Sequence, residues 1–564
     1  MTGLHTIDYV VFVFYFIVLV GLGFWVSRKG SKTSEDYFLA GRSLPWYVVG
    51  TSFIGSNIST EHFIGMVGSA YVYGICVAQW EWGNIFAFSV LVWIFIPFLL
   101  ATKVFTAPEY LEKRFNPACR LMFAIMTVIA NVTAFLAAIL YAGAIGLHEM
   151  FGLDIWLGVI LIGVVAGSYA IFGGLQSVAW TDLFQTIVLV TGGVLVTVLG
   201  LIHLGEGGGI AAGWGAMIEA NRGSEGAFAE GVRRLAPAVL GEGAETYDRL
   251  AIFQPMSHTL VPWVTIFLSW LSISIWYNCI NQFMIQRVLA AKDGWHARMG
   301  ILLAGFMKIG LPVITVLPGL IYFAMEPGLS VPEADKTYPT LLMRLMSVGL
   351  RGLLLAAIFG AIQSTVDSVL NSTSTIITLD VYKRWFRPDA EERKLVGMGR
   401  LVAVVVLIVS MAMAPFIQRM GQGVFVYIQN LFAHFAPPFS AVFVLGILWR
   451  RATGLAAALT IPFGIAVSIF IDKVVFVKWW TEGSAFTLRA CIAWPVCVLF
   501  MVIVSLIDKP PPEESITDIT TINWKKLNIF ADLGKPWYRN ITFWWVLFAG
   551  GLIVCYVVFS GLLK

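Results

Sequence analysis

Charge is scarce in this chain. Asp, Glu, Lys and Arg make up only 12% of its 564 residues, where soluble domains carry about a quarter. That excludes an ordinary water-soluble globule, and the net charge of +4 is too small for this length to indicate a nucleic-acid partner. Metal-binding and disulfide frameworks are excluded as well. The six cysteines are scattered, with no CxxC pair and no His/Cys cluster, so each is expected to be a small packing residue. Catalytic signatures are missing too. His148-Glu149 lacks the second histidine of a HExxH zinc motif, and there is no Walker loop and no Ser/His/Asp grouping, which argues against an integral membrane enzyme. Finally, no Lys or Arg precedes Tyr9. The apolar run Tyr9–Ser27 also exceeds the signal-peptide core of about 7–15 residues. It reads as a first membrane span rather than a cleaved leader.

What is abundant is hydrophobic sequence: 58% of residues, with a mean hydropathy of +0.82. A helix needs about 20 mostly apolar residues to cross the hydrocarbon core. That rule gives fourteen candidates, near 8–27, 45–70, 74–104, 119–147, 154–176, 182–203, 259–286, 297–325, 339–380, 397–418, 423–448, 453–472, 485–507 and 541–562. The runs are too long and too continuously apolar for barrel strands. With the N-terminus outside, 24 of the 37 Lys and Arg fall on cytoplasmic connections, Arg287 and Arg120 counted among them, in the direction of the positive-inside rule. Both termini are then extracytoplasmic. Lys308 alone is left inside a span. The Gly-rich segment 204–258 is expected outside as a cap of short helices, and 509–540 inside as a linker to the last helix.

Polar residues interrupt three of these spans. The second reads Ser56-Asn57-Ile58-Ser59-Thr60-Glu61-His62 through its middle, a stretch too costly to face lipid, where each unsatisfied polar group costs several kcal/mol. An unwound segment lining a cavity explains it. A similar interruption is expected at Ser272–Asn278, followed by Asn281-Gln282. These two spans open five-helix blocks at 45–203 and 259–448, and paired interrupted helices point to inverted repeats with a site between them. In the ninth span, Ala361, Ser364, Thr365 and Ser368 share one helical face. Their hydroxyls, beside free carbonyls of the broken second span, offer an all-oxygen shell suited to a hard monovalent cation. Hydroxyls that simply pack helices together are the alternative.

The runs Gly41-Arg-Ser-Leu-Pro-Trp46, Ser56–Gly65, Ile171-Phe-Gly-Gly-Leu175, Trp180-Thr-Asp182, Gln286–Lys292 and Asn371–Thr375 resemble the sodium:solute symporter family, in its sodium/glucose cotransporter branch. The resemblance implies an all-α membrane protein with a LeuT-like 5+5 inverted repeat: one helix before the repeats (residues 1–44), three after them (449–564). It implies Na+ as the co-transported ion, with no organic cofactor. The sodium ligands would be carbonyls of Gly55, Ile58 and Ala361 and hydroxyls of Ser364 and Thr365. A sugar would bind at Asn57, His62, Glu81, Ser274, Lys308 and Gln429, with Tyr277 as inner gate. Glu81 and Lys308 could equally form a structural ion pair. Asn278 stands where glucose carriers commonly have an aromatic residue, and Phe432 where some have Thr, so the solute could be a hexose or a polyol such as inositol. Asp367 is a mid-membrane acid, a functional hypothesis by default; with Asp182, Ser364 and Ser368 it forms a candidate second cation site. The expected function is sodium-driven sugar import across the cell membrane. Proton coupling and a non-transporting solute sensor of the same fold are the alternatives.

Overall fold

The computed structural model describes residues 4–28, 32–59, 61–266, 270–420, 424–475, 486–523, 532 and 534–560. Thr60, residues 267–269, 423, 485, 524–531 and 561–562, which fall in the expected break, spans and inner linker, lie outside the described residues. Every regular element described is helical, with only two isolated β-bridges, Leu44 with Ala291 and Gln254 with Pro262. This is the architecture that satisfies backbone groups without water.

Eleven helices among the described residues are long and apolar enough to cross a membrane, not the fourteen expected. The difference falls in three places. Two of the eleven, His62–Ala101 and Ile155–Leu204, run for 40 and 50 residues, about 60 and 75 Å if straight, against a hydrocarbon core of about 30 Å. Each is broken by a glycine in left-handed backbone, Gly74 at φ +82° and Gly174 at φ +59°. A side chain could not fit at either. A Cβ on Gly74 would lie 2.2 Å from the Arg249 carbonyl oxygen, and one on Gly174 2.4 Å from that of Tyr37. The third difference is the segment near 259–286, whose described residues hold the short apolar helix Leu271–Ile280 but no helix long enough to span.

The breaks themselves differ in kind. Helix Trp46–Gly55 ends where expected; the backbone is non-helical over 56–59 and resumes at Glu61–Met66 as a π-type turn, then at Val67–Tyr73. In the other interrupted segment, Ser272–Asn278 does not unwind. It is helical, with π-type turns over Trp270–Ser274 and Trp276–Ile280, and the extended residue is Asn281 (φ −61°, ψ 125°) before helix Gln282–Leu289. The polar side chains expected to break it are bonded instead: the Asn278 amide donates to the Ser274 carbonyl at 2.9 Å. The expected span 339–380 also divides, into Thr337–Leu345 and Leu350–Thr375.

Helix Leu350–Thr375 is the axis of the molecule. From Leu354 onward its residues are buried, and it packs against Ile155–Leu204 and Thr6–Ser27. Helix Gly294–Gly310 lies along Trp46–Gly55. Segment 204–258 forms two short helices, Gly209–Arg222 and Gly226–Leu240. From it Arg249, fully buried, donates to the carbonyls of Tyr71 (2.7 Å) and Val72 (3.1 Å), the last turn of helix Val67–Tyr73, and to Asn221 Oδ1 at 3.0 Å. Its guanidinium lies 3.7 Å from the centre of the Phe323 ring. A cation is favourable at a helix C-terminus, so segment 204–258 grips the end of helix Val67–Tyr73.

Candidate functional site

Asn57, His62, Glu81, Ser274, Tyr277, Asn278, Lys308 and Gln429 all line one cavity. They arrive on separate elements: Asn57 and His62 flank the break in the second span, and Glu81 sits on the turn Gln79–Trp82. Ser274, Tyr277 and Asn278 come from the π-type turns, Lys308 from the end of Gly294–Gly310, and Gln429 from Val424–Leu448. Five further residues complete the wall: Met66, Trp80, Asn84, Ile273 and Phe432.

Lys308 organises the polar side. Its Nζ donates to both Glu81 Oε2 and Asn57 Oδ1, with Lys308 and Glu81 only 3% and 1% exposed. Buried charges need such pairing. The pair leaves Glu81 Oε1 without a hydrogen bond among the described residues, its neighbour being His62 Nε2 at 3.5 Å. Opposite it, Asn84 Oδ1 accepts from Ser274 Oγ and from Asn278 Nδ2, both at 2.7 Å. Asn278 Oδ1 is left without a partner among the described residues. Two buried acceptors at one cavity wall thus lack donors, and each such group costs about 1–3 kcal/mol. Tyr277 and Phe432 supply the aromatic side, with ring centres 5.6 Å apart. Asn84 is the residue that sequence reasoning missed here. It was visible as a lone amide in the apolar run Trp82–Val90.

A second polar layer lies between the broken helix and the axial helix. Gly55 is the last residue of its helix and Ile58 lies in the non-helical stretch, and carbonyls at a helix end lack intrahelical partners. Facing them on Leu350–Thr375, Thr365 Oγ1 donates to the Ala361 carbonyl at 3.1 Å, and Ser364 Oγ donates to Asp182 Oδ1 at 2.5 Å. Ser56 Oγ and Ser368 Oγ, 2.9 Å apart, tie the two helices together. Asp182 Oδ2 accepts from Ser52 Oγ at 2.5 Å.

Two features of this layer depart from the sequence expectation. Arg287, assigned above to a cytoplasmic connection, is wholly buried on helix Gln282–Leu289. It lies 3.3 Å from Asp182 Oδ2 and donates to Ser52 Oγ at 2.8 Å and to Ser368 Oγ. Arg120 is likewise drawn in, 2.7 Å from the buried Asp380. Counting charges along the chain places them by segment and cannot see a carboxylate waiting inside. Asp367 also turns away from its expected companions. Its Oδ2 accepts from the Tyr169 hydroxyl, and Oδ1 has no partner among the described residues. Asp182, Ser364 and Ser368 therefore come together, with Arg287 among them, while Asp367 faces Tyr169.

Comparison with known proteins places this geometry. The sodium:solute symporter family profile matches residues 37–462. Among curated relatives, the chain is 33% identical to a sodium/glucose cotransporter of Vibrio parahaemolyticus, covering 94% of this chain and 96% of that one. It is 32% identical to the human sodium/myo-inositol cotransporter, covering 93% of this chain and 76% of that one. Among solved structures, a Na+-coupled sialic acid symporter in a substrate-bound outward-open state aligns with a TM-score of 0.74 at 22% identity, covering 90% of this chain and 99% of that one. That likeness concerns the fold alone. With a family match spanning most of the chain, and relatives above 30% identity over nearly all of it, the protein belongs to the sodium:solute symporter family.

Proposed function

We propose that this protein is a sodium-driven importer of a hexose, working by alternating access in the cell membrane. The observation that carries the reading is the pair of donorless acceptors, Glu81 Oε1 and Asn278 Oδ1, at the wall of one cavity shared with Lys308, Asn57 and His62. A neutral polyhydroxylated ring supplies hydroxyl donors to such acceptors and takes donors from Lys308, and its apolar face rests on Tyr277 and Phe432. Glu81, Lys308, Asn57, His62, Ser274, Asn278 and Gln429 hold the solute, and Tyr277 closes the inner side. Sodium binds first, at the carbonyls of Gly55, Ile58 and Ala361 and the hydroxyls of Ser364 and Thr365, bridging the broken and axial helices. It drives the cycle because it binds the outward-open state more tightly than the inward-open one.

The chain crosses the membrane fourteen times in this reading. Gly74 and Gly174 each divide one long helix into two crossings, and the segment through Leu271–Ile280 adds another. Residues 45–203 and 259–448 are the inverted repeats, residues 1–44 and 449–564 flank them, and both termini are outside. A second cation binds at Asp182, Ser364 and Ser368, with Asp367 behind them, where it competes with the Arg287 guanidinium.

A polyol such as inositol is the second reading, favoured by one observation. The Asn84–Ser274–Asn278 cluster puts amides where an aromatic residue would otherwise lie, and so offers hydrogen bonds around more of a ring's edge. Uptake of radiolabelled glucose, galactose and myo-inositol into proteoliposomes, with and without an inward sodium gradient, separates the two. Sodium-dependent uptake of one of them names the solute. Uptake driven only by a proton gradient, or none at all, overturns the proposal. In the same vesicles, a sodium-to-solute ratio of one, read from the reversal potential, removes the second cation site.

A further inference from the structure

Asn84, on the wall of the solute cavity, is tied at both ends of its amide. Its side-chain nitrogen donates to the backbone carbonyls of Trp80 at 2.7 Å and Glu81 at 3.2 Å, in the turn just before it. Its oxygen faces Ser274 Oγ and Asn278 Nδ2, both at 2.7 Å. The two ends of an amide are told apart by what they bond, and here the choice is forced. Carbonyls can only accept, so turning this amide over would set its oxygen against two of them. Asn84 Oδ1 therefore points across to Ser274 and Asn278, and both must donate to it.

The constraint passes on to those two neighbours. The one hydroxyl hydrogen of Ser274 goes to Asn84, which leaves Ser274 Oγ only its lone pairs; Asn278 Nδ2 lies 3.1 Å from it. Asn278 Nδ2 also meets a second obligate acceptor, the Ser274 carbonyl at 2.9 Å, so both of its hydrogens are occupied. The planar amide then turns Asn278 Oδ1 the other way, where it has no partner among the described residues. On the reading that this cavity holds the solute, we propose that Asn84 is a positioning residue that sets the hydrogen-bond polarity of this wall. By occupying the donors of Ser274 and Asn278, it leaves the wall only acceptors. The wall then recognises a solute hydroxyl as a donor and rejects an analogue that cannot donate there.

Displacement of labelled solute at saturating sodium tests this. Glucose, galactose and myo-inositol are the parent solutes, and the competitors are the deoxyfluoro analogues of each, substituted one position at a time. Fluorine keeps the size of a hydroxyl but cannot donate. At one position or more it should weaken binding about 10- to 100-fold, the effect of leaving a buried acceptor without a donor. Asn84→Ala frees the Ser274 hydroxyl and one Asn278 N–H to donate into the cavity. At one such position the penalty should then fall to about threefold or less, even where all affinities drop. Asn278→Ala, which deletes the acceptor, should do the same. Phe432→Leu, on the aromatic side, should weaken parent solute and analogue alike and keep the ratio, as any merely structural loss would. Tolerance of fluorine at every position by the unaltered protein overturns the acceptor-only wall, and needs no variant to fold. A ratio unchanged at every position in Asn84→Ala overturns the role of Asn84. If none of the three parent solutes binds, the reading of the cavity itself falls, and that is seen before any analogue is added.

Discussion

Removing the ammonium of Lys308 gives the sharpest test of the central cavity. Lys308→Met keeps the length and apolar stem of the side chain but deletes the one cation bonded to Glu81. The carboxylate stays where it was, 1% exposed, with His62 as its remaining neighbour. Breaking a buried ion pair from one side costs about 3–5 kcal/mol, because the surviving charge is uncompensated. Pairing the change with Glu81→Gln removes that charge, and most of the stability should return. Solute affinity should not. Hydrogen bonds to charged groups contribute about 1.5–3 kcal/mol each, so both the single and the double variant should bind solute about 10- to 100-fold more weakly. Thermal unfolding of the detergent-purified proteins reads the first effect, and equilibrium binding of labelled solute at saturating sodium reads the second. A single variant as stable as the parent, or a double variant no more stable than the single, refutes the account of Glu81 as a charge held by Lys308. Unchanged solute affinity in both variants refutes the cavity as the solute site.

Thr365→Ala removes one proposed sodium ligand without touching the solute cavity. It should raise the sodium concentration for half-maximal uptake about tenfold, while solute affinity at saturating sodium stays put; uptake measured across a sodium series checks it. Gly74→Ala places a Cβ 2.2 Å from the Arg249 carbonyl oxygen at φ +82°. Backbone strain alone should lower stability by about 1–3 kcal/mol, seen as a lower Tm, and an unchanged Tm would mean that the break at Gly74 is not held against the cap.

The sequence announces what is polar inside an apolar run, and little more. The break after Gly55 was legible because six polar residues crowd one span; that Asn57, His62, Glu81, Ser274, Lys308 and Gln429 share one cavity was reached only through the family resemblance. Asn281 shows the limit. Ser272, Ser274 and Asn278 looked like the breaking point, yet Ser274 and Asn278 find partners within the helix and across to Asn84, and the chain extends three residues later. Pairing across hundreds of residues is what sequence cannot display. Arg287 reads as a loop charge until Asp182, 105 residues away, is seen 3.3 Å from it. Nor does the sequence around Asp367 show Tyr169, 198 residues earlier, whose hydroxyl is bonded to it.

The grip of Arg249 on helix Val67–Tyr73 has a consequence for a carrier that must respond to salt. Its described hydrogen-bond partners are two backbone carbonyls, an asparagine amide and a tyrosine hydroxyl, all neutral. Ion pairs at a protein surface weaken as dissolved ions screen them, whereas buried, directional bonds to neutral oxygens hold much the same strength in dilute or concentrated brine. The contact between segment 204–258 and helix Val67–Tyr73 is therefore deaf to ionic strength.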